Sequence, residues 1–199
     1  MDQKRENQII DALMREQLAA NEQTAKDSLI KNNQIIRQGL GTNQSALLEL
    51  LQNANDCGVS EGKFVSIYCT ITPSFLIFQH NGKAFTEEDV RKLNRFFASD
   101  DASEKRQNMN LSGYKGIGFK SIYNETDFVS IISGGFSYQY RKDVWENAEN
   151  GRYKNYPWQS MPIWKNREEI EKPVNAELKA NVNFVFEIPE AKSRTLVEK

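Results

Sequence analysis

Glu49, Asn53 and Asp56 fall at i, i+4 and i+7 within Ser45–Gly58 (SALLELLQNANDCG). At about 3.6 residues per turn, this spacing stacks a carboxylate, an amide and a second carboxylate in one narrow stripe along a helix. Such a stripe can orient a water, ligate a magnesium ion and hold a base. It is equally what the solvated side of an amphipathic helix looks like. Ala46, Leu47, Leu50, Leu51 and Ala54 recur beside it at helical spacing and are expected to form the buried face. Gly58 stands where a left-handed cap would end the helix. Thr42, Asn43 or Ser45 can cap its start after the Gly39-Leu40-Gly41 break.

A second set of residues with chemical potential lies in LSGYKGIGFKSIY, residues 111–123, where Gly113, Gly116 and Gly118 form G-x-x-G-x-G. A helix is expected to begin at Phe119-Lys120-Ser121-Ile122. Glycines let the backbone approach a ligand closely, and the free N–H groups at a helix start can face a phosphate. A dinucleotide fold requires a strand just before the glycines and an acid about twenty residues on. Here a polar loop precedes them. A P-loop requires G-K-[ST], which is absent. In isolation the run is equally a flexible turn before a helix.

The elements that must position these groups read as follows. Residues 4–20 place Ile9, Ile10, Leu13, Met14, Gln17 and Leu18 on one helical face, and 22–38 reads as a second helix with Leu29, Ile30, Ile35 and Ile36 inward. Lys63–Ile71 and Phe75–Gln79 form a hairpin across Pro73-Ser74. Thr86 caps a helix whose first turn holds Glu87, Glu88 and Asp89, with Val90, Leu93, Phe96 and Phe97 facing the core. Residues 98–111 are polar and without period, a long loop of the functional or mobile kind. Asp127–Ser133 and Phe136–Lys142 form a second hairpin across Gly134-Gly135, and Asn183–Ile188 a last strand. Residues 144–176 hold all three Trp without a clean period and read as an irregular insertion packed on the sheet. The expected fold is α+β, a two-layer α/β sandwich with helices on one face of a mixed, mostly antiparallel sheet.

The 199 residues suit one domain over 1–199, with 1–40 as an N-terminal helical arm. A net charge of −1 provides no field to draw in nucleic acid, and no apolar run approaches the ~20 residues of a membrane span. Cys57 and Cys69 are too far apart for a CxxC site, and one His leaves no zinc set. Two thiols without an exported leader suggest a reducing, cytoplasmic setting.

Glu49-Leu-Leu-Gln-Asn53-Ala-Asn-Asp56, His80-Asn81-Gly82 after a strand, and Gly113-x-x-Gly116-x-Gly118-Phe119-Lys120-Ser121 together resemble the GHKL ATPases. Within them, ELLQNAND, HNGKAFTEEDV and GYKGIGFKSIY are most similar to the sacsin-like branch of chaperone-type ATPase domains. The resemblance covers roughly residues 30–140 and implies a Bergerat fold holding ATP and Mg²⁺ between the helices and a lid at 98–111. It implies Glu49 as the general base and Asn53 as the magnesium ligand, with Asp56 beside them. Gly113, Lys115, Gly116, Ile117, Gly118, Phe119, Lys120 and Ser121 would cradle the phosphates; Lys120 is equally suited to lie in solvent. The implied function is ATP hydrolysis driving a conformational cycle in a multidomain machine, with a homodimer formed on ATP binding and a client left open. A nucleotide-sensing module without turnover and a GHKL protein kinase are the alternatives.

The sequence departs from the family's D-x-G-x-G box. His80 stands at the position of the Asp that accepts from the adenine amino group, and Ala84 replaces the second Gly. A late Gly-Thr is not evident near Asn181-Val182-Asn183. A neutral imidazole has one acceptor nitrogen, so His80 is expected to accept this bond above neutrality and to lose it in acid, with Asn81 next in line.

Overall fold

The computed structural model describes residues 3–24, 43–94 and 121–188. They form five α-helices and six strands: α1 (Gln3–Glu22), α2 (Asn43–Glu61), β1 (Ile67–Ile71), β2 (Phe75–His80), α3 (Glu87–Asn94), β3 (Phe128–Ser133), β4 (Phe136–Arg141), α4 (Lys142–Asn147), β5 (Ile163–Trp164), α5 (Arg167–Val174) and β6 (Val182–Glu187). The expected helix at 22–38 and the loop at 98–111 lie outside the described residues, apart from the last turn of α1.

The sheet order is β1-β2-β6-β3-β4-β5. Every described pairing is antiparallel, so the mixed sheet expected from the sequence is antiparallel throughout these residues. Period-2 alternation sends Phe78 of β2, Val129 and Ile131 of β3, Tyr138 and Tyr140 of β4, and Phe184 and Phe186 of β6 to one face. There they meet Ile10 and Leu13 of α1, Leu50 and Ala54 of α2, and Val90 of α3, all buried. Each large apolar side chain closed off in this way contributes about 1.5–3 kcal/mol. The opposite face carries a smaller cluster, Ile77, Ile132 and Val185, covered by Ile170 and Val174 of α5 and by Leu178. The two-layer α+β frame is as expected, with this short helix added behind it.

α1 packs on β4, β5 and α3 of its own chain. Its buried positions run Glu6, Ile10, Leu13, Gln17, Asn21, so polar side chains occupy part of the inward stripe. α3 starts as its sequence indicates. The Thr86 N–H donates to the Asp89 carboxylate at 2.8 Å, and the Asp89 N–H returns to Thr86 Oγ1 at 3.3 Å. The 144–176 stretch is more ordered than its composition suggests. β5 adds a strand to β4, the Trp145 indole N–H donates to the Met161 carbonyl at 3.1 Å, and Trp158 lies edge-on to Tyr123 with centroids 5.0 Å apart.

Gly58 does not end α2. The helix runs to Glu61, and Gly62 takes the left-handed conformation at φ +64°. The Lys63 N–H then bonds back to the Gly58 carbonyl at 2.9 Å, the closure of a Schellman cap. Gly58 is needed for space instead. A Cβ there would meet the Lys63 carbonyl oxygen at 2.6 Å and Val65 Cγ2 at 2.8 Å. In an open helix Gly→Ala gains about 1 kcal/mol. Here Gly58→Ala should instead destabilise by about 1–3 kcal/mol, because backbone must move to admit the methyl. Gly62→Ala should cost about 1 kcal/mol through its positive φ. Urea unfolding of the two variants measures both, and a stabilised Gly58→Ala would refute the close approach.

Candidate functional site

α2 carries the stripe beside its buried edge. Glu49 and Asn53 are half-buried and Asp56 is exposed. The apolar face is narrower than the sequence implied: Leu50 and Ala54 are buried, but Leu47 and Leu51 are 40% and 37% exposed. That narrowing places Glu49 at the margin of the core. The Asn53 side chain hydrogen-bonds to the Glu49 carboxylate. Loss of solvent raises the Glu49 pKa above its ordinary 4.5, and the nearby Asp56 charge adds to this against the opposing pull of the Asn53 bond.

One turn beyond Asn53, Cys57 meets the turn that follows β2. A Cβ on Gly82 would lie 3.0 Å from Cys57 Cβ and 2.9 Å from His80 Nδ1, so only glycine seats the turn against the helix. The Gly82 N–H donates to His80 Nδ1 at 3.2 Å. His80 itself is buried at 3% exposure, and burial lowers its pKa to about 4. Asn81 braces the strand ends. Its Oδ1 accepts from the Ser66 N–H at 2.7 Å, its N–H donates to the Ser66 carbonyl at 3.2 Å, and its carbonyl accepts from Asn181 Nδ2 at 3.0 Å.

Two expectations for this turn need correction. His80 spends its acceptor nitrogen on the Gly82 backbone, and it remains neutral down to about pH 4. It therefore neither accepts from a base amino group nor switches near neutrality. Asn81, the second choice, commits its amide oxygen to Ser66.

The far end of the glycine-rich run also reaches α2. Ser121–Asn124 is a single 3₁₀ turn, shorter than the helix expected there, and it packs against α2 through the same region of the core that buries Ile122 and Tyr123. Gly113, Lys115, Gly116, Ile117, Gly118, Phe119 and Lys120 lie outside the described residues. Thus α2, the His80-Asn81-Gly82 turn and the exit of the glycine run converge. Cys57, Ser66 and Asn181 complete this convergence and were not anticipated, because their roles depend on contacts between distant segments.

The family model of the sacsin domain matches residues 28–139. The chain belongs to the sacsin domain family. The match spans Glu49, Asn53, Asp56, the His80-Asn81-Gly82 turn and the whole glycine run. Human Sacsin is 32% identical over 122 residues, which cover 55% of this chain and 3% of that protein. Protein NO VEIN from Arabidopsis thaliana is 30% identical over 94 residues, 47% of this chain and 3% of that protein. The chain therefore aligns with only a small part of either relative.

Among the described residues of this sacsin domain, no three His, Cys, Asp or Glu side chains converge on a metal-sized site. No described helix is long and apolar enough to cross a membrane.

The two shifted groups predict opposite pH effects on stability. His80 has a folded value below its ordinary 6.5, so on acidification the unfolded chain takes up the proton first. Stability should fall from about pH 6.5 to about pH 4, by about 3 kcal/mol at the lower end. Urea unfolding across that range should show the loss, and His80→Asn should flatten it. Glu49 has a raised folded value, so its contribution is lost as pH rises above 4.5. Glu49→Gln should therefore unfold at a higher temperature than the parent at neutral pH; an unchanged melting temperature would mean the carboxylate is fully solvated.

Proposed function

We propose that this sacsin domain binds and hydrolyses a magnesium-complexed nucleoside triphosphate, ATP being the first to test, and that the resulting cycle drives a larger machine. The observation that carries the reading is the Glu49–Asn53 pair. A half-buried carboxylate whose pKa is raised by loss of solvent is a stronger base than a solvated one. Glu49 would take the proton from the attacking water. Because an ionised carboxylate only accepts, Asn53 must meet it through its NH₂ group, which leaves the amide oxygen for a cation. Mg²⁺ keeps most of its waters and takes few protein oxygens, so one amide fits its needs. When bound, that ion would offset phosphate charge next to the acidic stripe. Gly82 closes the turn against Cys57 without a side chain, and the glycine run leads into the turn that packs on α2.

Turnover is favoured over simple nucleotide sensing because a binding module gains nothing from a partly desolvated carboxylate. The kinase reading loses support from His80, the chain's one His, which is buried at a strand end and cannot serve as an accessible phosphoacceptor. Association into a homodimer on ATP binding, and action within the cytoplasm, belong to the same proposal.

Glu49→Ala should leave nucleotide affinity within a few-fold and lower phosphate release by the ~10²–10⁴ of a lost general base. Asn53→Ala should weaken binding in Mg²⁺ and change it little in EDTA, as measured by calorimetry. Phosphate release from Glu49→Ala at the parent rate would reduce the stripe to solvated surface.

A further inference from the structure

We propose that β1 is an interaction edge, and that two copies of this chain join there by antiparallel pairing of Ile67–Ile71 with itself, centred on Cys69. The contact needs no nucleotide and is independent of the reading above.

The sheet treats its two edges differently. At one side β5 is two residues long and lies between Pro162 and Lys165. Proline lacks a backbone donor and a charge resists burial, so that edge offers little to an incoming strand. At the other side β1 spans five residues, IYCTI, and among the described residues it pairs with β2 alone. No charged residue stands between Phe64 and Gln79. All of β1 but Ile67 is exposed, Tyr68 at 58% and Ile71 at 40%, and Phe64 just before it is fully exposed. An uncharged edge of β-branched and aromatic residues is a template for pairing, and nothing in its sequence blunts it.

Backbone parity shows which groups are on offer. The Asn81 N–H donates to the Ser66 carbonyl at 3.2 Å, and the Thr72 N–H to the Phe75 carbonyl at 2.8 Å. Ser66, Tyr68, Thr70 and Thr72 therefore turn their backbone groups toward β2. Ile67, Cys69 and Ile71 turn theirs outward. A second β1 presents the same groups in reverse order. With the two-fold axis at Cys69, Ile67 faces Ile71 of the second copy, and Tyr68 faces its Thr70, an aromatic and β-branched pair of the stabilising kind. A two-fold contact repeats every charge it holds, so the lack of charge on β1 suits a second copy in particular. Pairing also closes the assembly. Both open edges are consumed, and the guarded β5 edges lie outermost.

Sedimentation equilibrium of the full chain without nucleotide should show a monomer–dimer mixture that depends on concentration. Cys69→Lys, which sets two ammonium groups against each other at the axis, should leave a monomer. Amide exchange reads the unaltered chain. When nine-tenths of it is dimer, the Ile67, Cys69 and Ile71 amides should exchange about tenfold more slowly than in dilute solution, and those of Tyr68 and Thr70 should change less. A short bis-thiol crosslinker should join Cys69 to Cys69 and not to Cys57, because this register sets the two Cα atoms about 5.5 Å apart. A monomer at every concentration, with the Cys69 amide exchanging freely, would overturn the proposal. Protection of the outward amides in a monomer would overturn it too, since another part of this chain would then cover the edge. A dimer that survives Cys69→Lys would place the contact elsewhere and equally defeat it.

Discussion

The placement of α2 depends on two points where backbone comes too close for a side chain. At Gly58 the returning chain presses the Lys63 carbonyl and Val65 against the helix, and at Gly82 the turn after β2 presses against Cys57. Both contacts lie on the C-terminal half of α2. Together they clamp that half between the start of β1 and the end of β2, while Leu50 and Ala54 anchor the helix to the sheet. The orientation of the Glu49–Asn53 pair follows from this clamp.

The same clamp explains why His80 differs from a carboxylate in more than charge. An aspartate could accept the Gly82 N–H and still offer oxygen lone pairs to a ligand. Imidazole has one acceptor, so bracing the turn and accepting from a ligand exclude each other. The turn takes precedence because Gly82, seated against Cys57, directs its N–H at Nδ1. Burial then keeps the ring neutral, which suits an imidazole lodged against Phe78.

Much of the frame was legible because period carries it. β2 and β3 begin and end within a residue of the runs Phe75–Gln79 and Asp127–Ser133, and Thr86 with Asp89 marks the start of α3. What was hidden has no period. Glu6 and Asn21 lie on the buried face of α1, where a count of apolar residues does not look. Trp145 enters the core from the six-residue α4 and Trp158 from a three-residue 3₁₀ turn, elements too short to show a period, so the stretch that holds them reads as an irregular insertion although it completes the inner layer. Gly58 shows a third kind of miss, because a glycine near a helix end suits a cap and a close approach equally well. The Glu49–Asn53 stripe on one helix was legible from spacing; the bond that His80 makes was not, since it goes to an N–H two residues away in the chain and is fixed only by the fold.

β6 shows how far the family match and the folding unit diverge. The matched span ends at residue 139, yet β2 and β3 do not pair with each other. Val182–Glu187 lies between them, bonded to both. Asn183, fully buried, donates to the Ile132 and Ala180 carbonyls and accepts from Gln79, joining the two strands through its side chain as well as its backbone. Removing β6 would expose two strand edges in the middle of the sheet. The dependence extends to the site, because Asn181, just before β6, holds the Asn81 carbonyl. The Glu49–Asn53 stripe on α2 therefore lies within the matched residues, while part of the bracing of the strand-end turn beside it is supplied from beyond them.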